Sequence, residues 1–191
     1  MSKEKENETQ GHSDVITETL FNNRTLMICE EINQKMARRV CLELLALAAK
    51  SDDDITLFIN SQGGHVEAGD SIHDMIRFIK PRVKVVGTGW VASAGTHIYL
   101  AVDKADRYCL PNTRFLIHQP SGGVGGQASD IAIQAEEIIK MRERLALIIS
   151  EQTGQPVEQV REDIERDNWM TAKEAINYGI CGKQISSVNE L

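Results

Sequence analysis

Ile55 to Ile59 (ITLFI) is a continuous apolar run with β-branched ends, the pattern of a strand covered on both faces within a parallel sheet. It opens into Asn60-Ser61-Gln62-Gly63-Gly64. Beyond the glycines, Val66, Ile72, Met75, Ile76 and Ile79 fall on one side of a helix that Lys80 and Pro81 bring to an end. Val83 to Thr88 repeats the buried-strand pattern. Strand, helix and parallel strand cross over right-handed, so this segment commits the chain to a layered α/β architecture.

The remaining elements fit that frame. Arg24 to Ile28 reads as a short strand, and Met36, Val40, Leu44, Leu47 and Ala48 mark a helix from Gln34 to Lys50. His97 to Val102 suits a helix buried at the centre, and Arg107 to Leu110 and Arg114 to His118 read as short strands either side of a Pro111-Asn112 turn. A glycine-rich loop, SGGVGGQ over 121–127, precedes the longest helix, which opens near Ser129, a candidate cap, and runs to about Gln152 before Gly154. At 100° per residue Ile131, Ile138, Ile139, Met141, Leu145, Ile148 and Ile149 form one stripe, while Ile133 and Leu147 fall nearly opposite. Two apolar faces on one helix imply a partner subunit. Helices near Val157 to Glu165 and Thr171 to Tyr178 complete the fold. Residues 1–17 are polar and without periodicity, a flexible arm or a processed leader; 18–191 are expected to form a single domain, as 191 residues allow.

Composition removes several functions. With 21 Lys and Arg against 28 Asp and Glu, a formal charge of −7, the chain has no electrostatic footprint for nucleic acid or anionic membranes. No apolar run reaches the roughly 18 positions of a membrane span, and the first fourteen residues hold no apolar signal core, so the expected location is cytoplasmic. Cys29, Cys41, Cys109 and Cys181 show neither zinc-site nor disulfide-framework spacing and read as buried, reduced thiols.

Chemistry concentrates at strand ends. Gly63-Gly64 follows a buried strand, where parallel sheets bind ligands, and can present bare backbone N–H groups; it matches neither a dinucleotide nor a Walker loop. Ser93, between small residues at the start of the central helix, sits where the helix dipole favours developing negative charge. Val91 rules out the GxSxG elbow. A serine nucleophile needs a base, and histidine suits that work. His118, at a strand end before Gln119-Pro120, is preferred, with His65 behind it; His97, four residues after Ser93 on its own helix, has no evident acid to orient it, and His73 faces either solvent or core. Among 28 acids, Asp130, Asp163 and Asp167 are all plausible third members.

Four segments, LFINSQGG (57–64), GWVASAGTH (89–97), CLPNTRFLIHQPSGG (109–123) and ERDNWMTAKEAINYG (165–179), together resemble the ClpP family of serine peptidases, the proteolytic subunits of ATP-dependent Clp proteases. The resemblance covers about residues 20–186. It implies the ClpP/crotonase-like α/β fold, with βαβ units, a central buried helix and a long protruding handle helix. It also implies Ser93 as nucleophile, His118 as base and Asp167 as orienting acid, with the amides of Gly64 and Ala94 as oxyanion hole. The implied assembly is two stacked seven-membered rings, with Glu165 and Arg166 as inter-ring contacts. An AAA+ unfoldase would dock on Phe58, Phe78, Val86, Tyr108, Leu110 and Ile185 and feed in unfolded protein; ATP serves that partner, and no cofactor or metal is implied for this chain.

The departures from the pattern are Gln62 where proline is usual, Trp90 for glutamine, His97 for an apolar residue and Thr56 for an aromatic of the docking cleft. They suggest a divergent paralogue. Gln62 lifts a φ restraint beside the oxyanion loop, which suggests weak activity alone and better activity in a mixed ring with a second, more typical subunit. The rival readings are a non-catalytic regulatory subunit and a crotonase-type acyl-CoA enzyme.

Overall fold

The structure, a computed structural model, describes residues 15–123 and 125–191. The first fourteen residues of the expected arm lie outside these, whereas 15–22 are helical (α1). The strand β1 (Thr25–Ile28) leads to Asn33, whose side chain accepts a hydrogen bond from the Met36 amide at 3.0 Å and so caps α2 (Gln34–Lys50). That helix buries Met36, Ala37, Val40, Leu44 and Leu47.

The committing unit is β2 (Ile55–Ser61), α3 (Val66–Phe78) and β3 (Val83–Ala92), and β2 pairs in parallel with both β1 and β3. Burial along β2 alternates: Ile55, Leu57, Ile59 and Ser61 are buried while Thr56, Phe58 and Asn60 are half-covered, so one face lies in the core and the other is only partly shielded. β3 is long enough to serve two neighbours. Its first half pairs with β4 (Arg107–Cys109) and its second half with β5 (Arg114–Ile117), both parallel. Between them the short α4 (Ala94–Tyr99) is buried at every position. β1 is the edge beyond β2, and on the opposite side of β3 the sheet divides, ending in β7 (Lys183–Gln184) beside β4 and in β6 (Asn168–Thr171), antiparallel to β5. Neither β6 nor β7 is read as a strand in the sequence: Asn168–Thr171 runs directly into the cap of the helix that follows, and Lys183–Gln184 is only two residues long.

The longest helix, α5 (Ala128–Thr153), has 26 residues, about 39 Å. Ser129 does not cap it: the cap position is Gln127, without a side-chain bond. Gly154 ends it in the left-handed conformation, φ 79°. Only Leu145, Ala146 and Ile149 of the expected stripe region are buried; Ile131 and Ile139 of that stripe are exposed, as are Ile133 and Leu147 opposite. The helix is thus rooted in the core by its last turns, while its first two thirds stand clear of it. Arg107, buried beneath the root, donates to the carbonyls of Val102 and Gln152 at 2.8 and 2.9 Å. Two shorter helices, α6 (Val157–Asp163) and α7 (Ala172–Tyr178), follow, the latter opened by a Thr171–Glu174 capping box. The expectation of four buried thiols is corrected: all are free, but Cys29 is exposed and Cys41 half-buried. No helix among the described residues is long and apolar enough to cross a membrane.

Candidate active site

Sheet register brings the site together. Ala92 of β3 pairs with Leu116 of β5, and the Ser93 amide donates to the Leu116 carbonyl at 3.0 Å. Ile117 of β5 pairs with Asn168 of β6, and because that pairing is antiparallel the next residue of one strand meets the preceding residue of the other. Ser93, His118 and Asp167 are therefore each one residue beyond a paired position, at one end of three adjacent strands. His118 Nε2 lies 2.8 Å from Ser93 Oγ, and His118 Nδ1 lies 3.0 Å from Asp167 Oδ1. A carboxylate can only accept, so Nδ1 carries the ring proton and Nε2 is left as an acceptor for the serine hydroxyl. The imidazole is mostly covered (24% exposed), whereas Asp167 is open to solvent at 64%.

Ser93 itself holds φ 56° and ψ −120°, a conformation a residue with a side chain adopts only under constraint. The constraint is visible. Thr96 of α4 places its hydroxyl 2.8 Å from the carbonyls of both Val91 and Leu116, tying the first turn of the helix to the two strands. Gly63 packs so close to Ser93 that a Cβ on it would stand 2.6 Å from Ser93 Cβ and 2.7 Å from the Ala92 carbonyl. The loop from Ser61 to His65 is fastened to the end of the β1 connection: Ile32 donates to the Gly63 carbonyl at 2.9 Å and accepts from the His65 amide at 2.8 Å. The Ser61 hydroxyl donates to the Glu30 carbonyl at 2.6 Å and accepts from the Gly63 amide at 3.1 Å. These bonds hold the loop on either side of Gln62. Among the described residues the amides of Gly64 and Ala94 enter no internal hydrogen bond, which leaves both available to an anion.

The other expected residues fall in different places. Of the acids, Asp163 accepts from the Tyr178 hydroxyl at 2.7 Å and Asp130 sits in the first turn of α5, so only Asp167 meets the histidine. His65 caps α3 by accepting from the Ala68 amide, and it approaches Glu67 rather than Ser93. Glu165 accepts from Arg142 of α5 at 2.7 Å, and Arg166 is exposed beside it. Within the expected docking set Phe78 is 79% exposed and Phe58, Tyr108 and Leu110 are half-covered, but Val86 and Ile185 are corrected: both are buried in the core and offer a partner no surface.

His97 was expected to lack an acid, and the structure corrects this too. Its Nε2 lies 2.9 Å from Asp70 Oδ1 on α3, and Arg144 of α5 donates to the other oxygen at 2.6 Å. Burial alone would raise the Asp70 carboxyl, but the His97 and Arg144 hydrogen bonds outweigh it and hold it below its ordinary range. His73 stacks on His97 with ring centres 4.4 Å apart, and its Nδ1 lies 2.9 Å from the His97 carbonyl. Sequence reasoning missed this cluster; the only signal was Asp70 and His73 at i, i+3 on α3. Burial, reinforced by the neighbouring His97, pushes His73 down to about 4 from an ordinary 6.5. A histidine whose folded pKa is depressed stabilises the fold above its unfolded value, and that contribution is lost as pH falls from about 6.5 to about 4. Urea unfolding at pH 7 and at pH 4 is expected to differ by up to about 3 kcal/mol more in the parent than in His73→Leu.

The cleft beside Ser93, about 30 Å3, is lined by Val66, Ala94, His97, Ile117, Leu145 and Ile149 among others. No cluster of three or more metal-ligating side chains occurs among the described residues.

Residues 6–187 match the model of the family described as Clp protease. The chain belongs to the Clp protease family. The ATP-dependent Clp protease proteolytic subunit 3 of Rhizobium meliloti is 60% identical over 172 residues, 90% of this chain and 88% of that protein. The proteolytic subunit of Paracoccus denitrificans is 54% identical over 173 residues, 91% and 87% of the two chains. The solved structure of ClpP1 from Listeria monocytogenes superposes with a TM-score of 0.84 at 55% identity, covering 92% of this chain and 99% of its own. The Clp protease fold, with its parallel sheet, buried central helix and long projecting helix, is thus common to this chain and that neighbour.

Proposed function

We propose that this Clp protease family chain is a serine endopeptidase subunit that cleaves unfolded polypeptide, with residues 18–191 as one catalytic domain. The observation that carries the reading is the unbroken hydrogen-bonded chain from Asp167 through His118 to Ser93, at 3.0 and 2.8 Å. Ser93 Oγ attacks the peptide carbonyl as His118 Nε2 takes its proton, and Asp167 holds the ring in the required tautomer and stabilises the imidazolium. The carbonyl oxygen, now anionic, is received by the amides of Gly64 and Ala94. His118 then returns the proton to the departing amine, and a water activated by the same ring releases the acyl group from Ser93. No cofactor takes part.

The exposed apolar side chains of α5, Ile131, Ile133, Ile139 and Leu147, support burial between subunits, consistent with two stacked seven-membered rings that also engage Glu165 and Arg166. An AAA+ ATPase is the proposed source of unfolded substrate, docking on the apolar surface around Phe78 in the cytoplasm. The test is a fluorophosphonate probe, fluorogenic peptide cleavage and particle mass, measured together on the chain alone and mixed with a second ClpP subunit. Labelling confined to Ser93 and cleavage by a particle of about fourteen subunits is expected. A ring-forming protein without labelling or cleavage in either preparation would mark it as a regulatory subunit, and coenzyme A thioester turnover would mark a crotonase-type enzyme.

A further inference from the structure

The His97 ring is only 6% exposed, and one of its two nitrogens is accounted for: Nε2 meets Asp70. Nδ1 is buried and, alone among buried side-chain nitrogens and oxygens of the described residues, has no hydrogen-bond partner. The carboxylate fixes the tautomer. Nε2 must carry a proton to reach Asp70, so in the neutral ring Nδ1 is a bare lone pair. The bond to Asp70 and the stacking on His73 hold the ring in this orientation, with its Cδ2 edge facing Gly69 on α3. The Nδ1 edge is therefore turned away from α3. His97 is also the one imidazole besides His118 that lines the cleft next to Ser93, and apolar side chains of Val66, Ile117, Leu145 and Ile149 form most of the remaining wall. Nδ1 is thus an unpaired, buried acceptor in a residue that borders an apolar cleft, and it costs free energy until a donor reaches it.

We propose that His97 is a specificity-determining residue for the peptidase reaction, selecting at the position just before the scissile bond a side chain with a short apolar stem and a terminal hydrogen-bond donor. The inference rests on the peptidase reading above. The cleft supplies the apolar contacts to the stem, and Nδ1 accepts the donor at its end. An isosteric side chain without a donor leaves Nδ1 unpaired and is discriminated against; a purely apolar cleft prefers that same side chain, because it has no hydroxyl or amide to desolvate. The sign of the preference therefore reports the presence of the acceptor.

The test uses fluorogenic peptides in two pairs that differ at that one position, threonine against valine and glutamine against methionine, with fluorophosphonate labelling of the same preparation. In the parent, kcat/KM is expected to favour threonine and glutamine by about three- to tenfold. In His97→Leu the ratio should reverse toward valine and methionine, and in His97→Gln, which keeps an acceptor, the donor preference should persist in part. If His97→Leu does not fold, the parent ratios and His97→Gln decide. A preparation that labels at Ser93 and cleaves both members of each pair equally, or prefers valine and methionine, overturns the role of His97 and leaves the peptidase reading intact. A preparation that neither labels nor cleaves overturns the peptidase reading itself, and the specificity role with it.

Discussion

Replacing Ser93 with alanine should lower kcat for peptide hydrolysis roughly a millionfold while leaving secondary structure and particle mass unchanged. Ser93 Oγ is the only proposed attacking atom, and its removal takes away one hydroxyl without opening a core cavity. Asp167→Ala should cost less, about ten-thousandfold, because the imidazole remains beside the hydroxyl and loses only the partner that fixes its tautomer. Side chains that act as a unit do not contribute additively, so Ser93→Ala combined with His118→Ala should be no slower than Ser93→Ala alone. Single-turnover assays on each variant check the series. Hydrolysis by Ser93→Ala at more than one hundredth of the parent rate would remove Ser93 from the chemistry.

The second large effect is expected from a methyl group. Gly63→Ala places a Cβ 2.6 Å from Ser93 Cβ and 2.7 Å from the Ala92 carbonyl, at a φ of 95° that side chains resist. Backbone on both sides must give way, and what moves is the spacing between the nucleophile and the amide loop. Loss of one well-aimed oxyanion donor typically costs about 100- to 1,000-fold in kcat, and Gly63→Ala should reach that range together with a lowered Tm. Gly123→Ala is the matched control, since a Cβ there meets nothing within 4 Å, and it should change neither quantity. Equal rates for the two variants would show that the loop is more pliant than its contacts indicate.

How far the site could be read from the sequence depended on whether a residue is placed by its own neighbours or by a distant strand. Ser93 and the glycine pair stand at the ends of long, strongly patterned strands, so strand-end reasoning reached them directly. His118 was favoured over His65 on the same ground. The acid was not separable, because Asp167 is selected only through the pairing of β5 with β6, and β6 is four residues long. The Asp70, His73 and His97 cluster depends on the packing of α3 against α4, a contact with no local signature. On α5 the periodicity places apolar residues on two sides, but periodicity cannot say where a helix leaves the core, and only Leu145, Ala146 and Ile149 are buried. Val86 and Ile185 are buried, which sequence position alone does not report.

Ile32 has no functional group, is not close in sequence to Ser93, His118 or Asp167, and yet holds the glycine loop by its own amide and carbonyl. The length of chain between Ile28 and Asn33 is in effect a ruler against which the glycine loop, with its proposed anion-receiving amide, is set. Shortening that connection by one residue should therefore silence hydrolysis in a protein whose three reactive side chains remain in register, a defect that inspection of those side chains alone would never reveal.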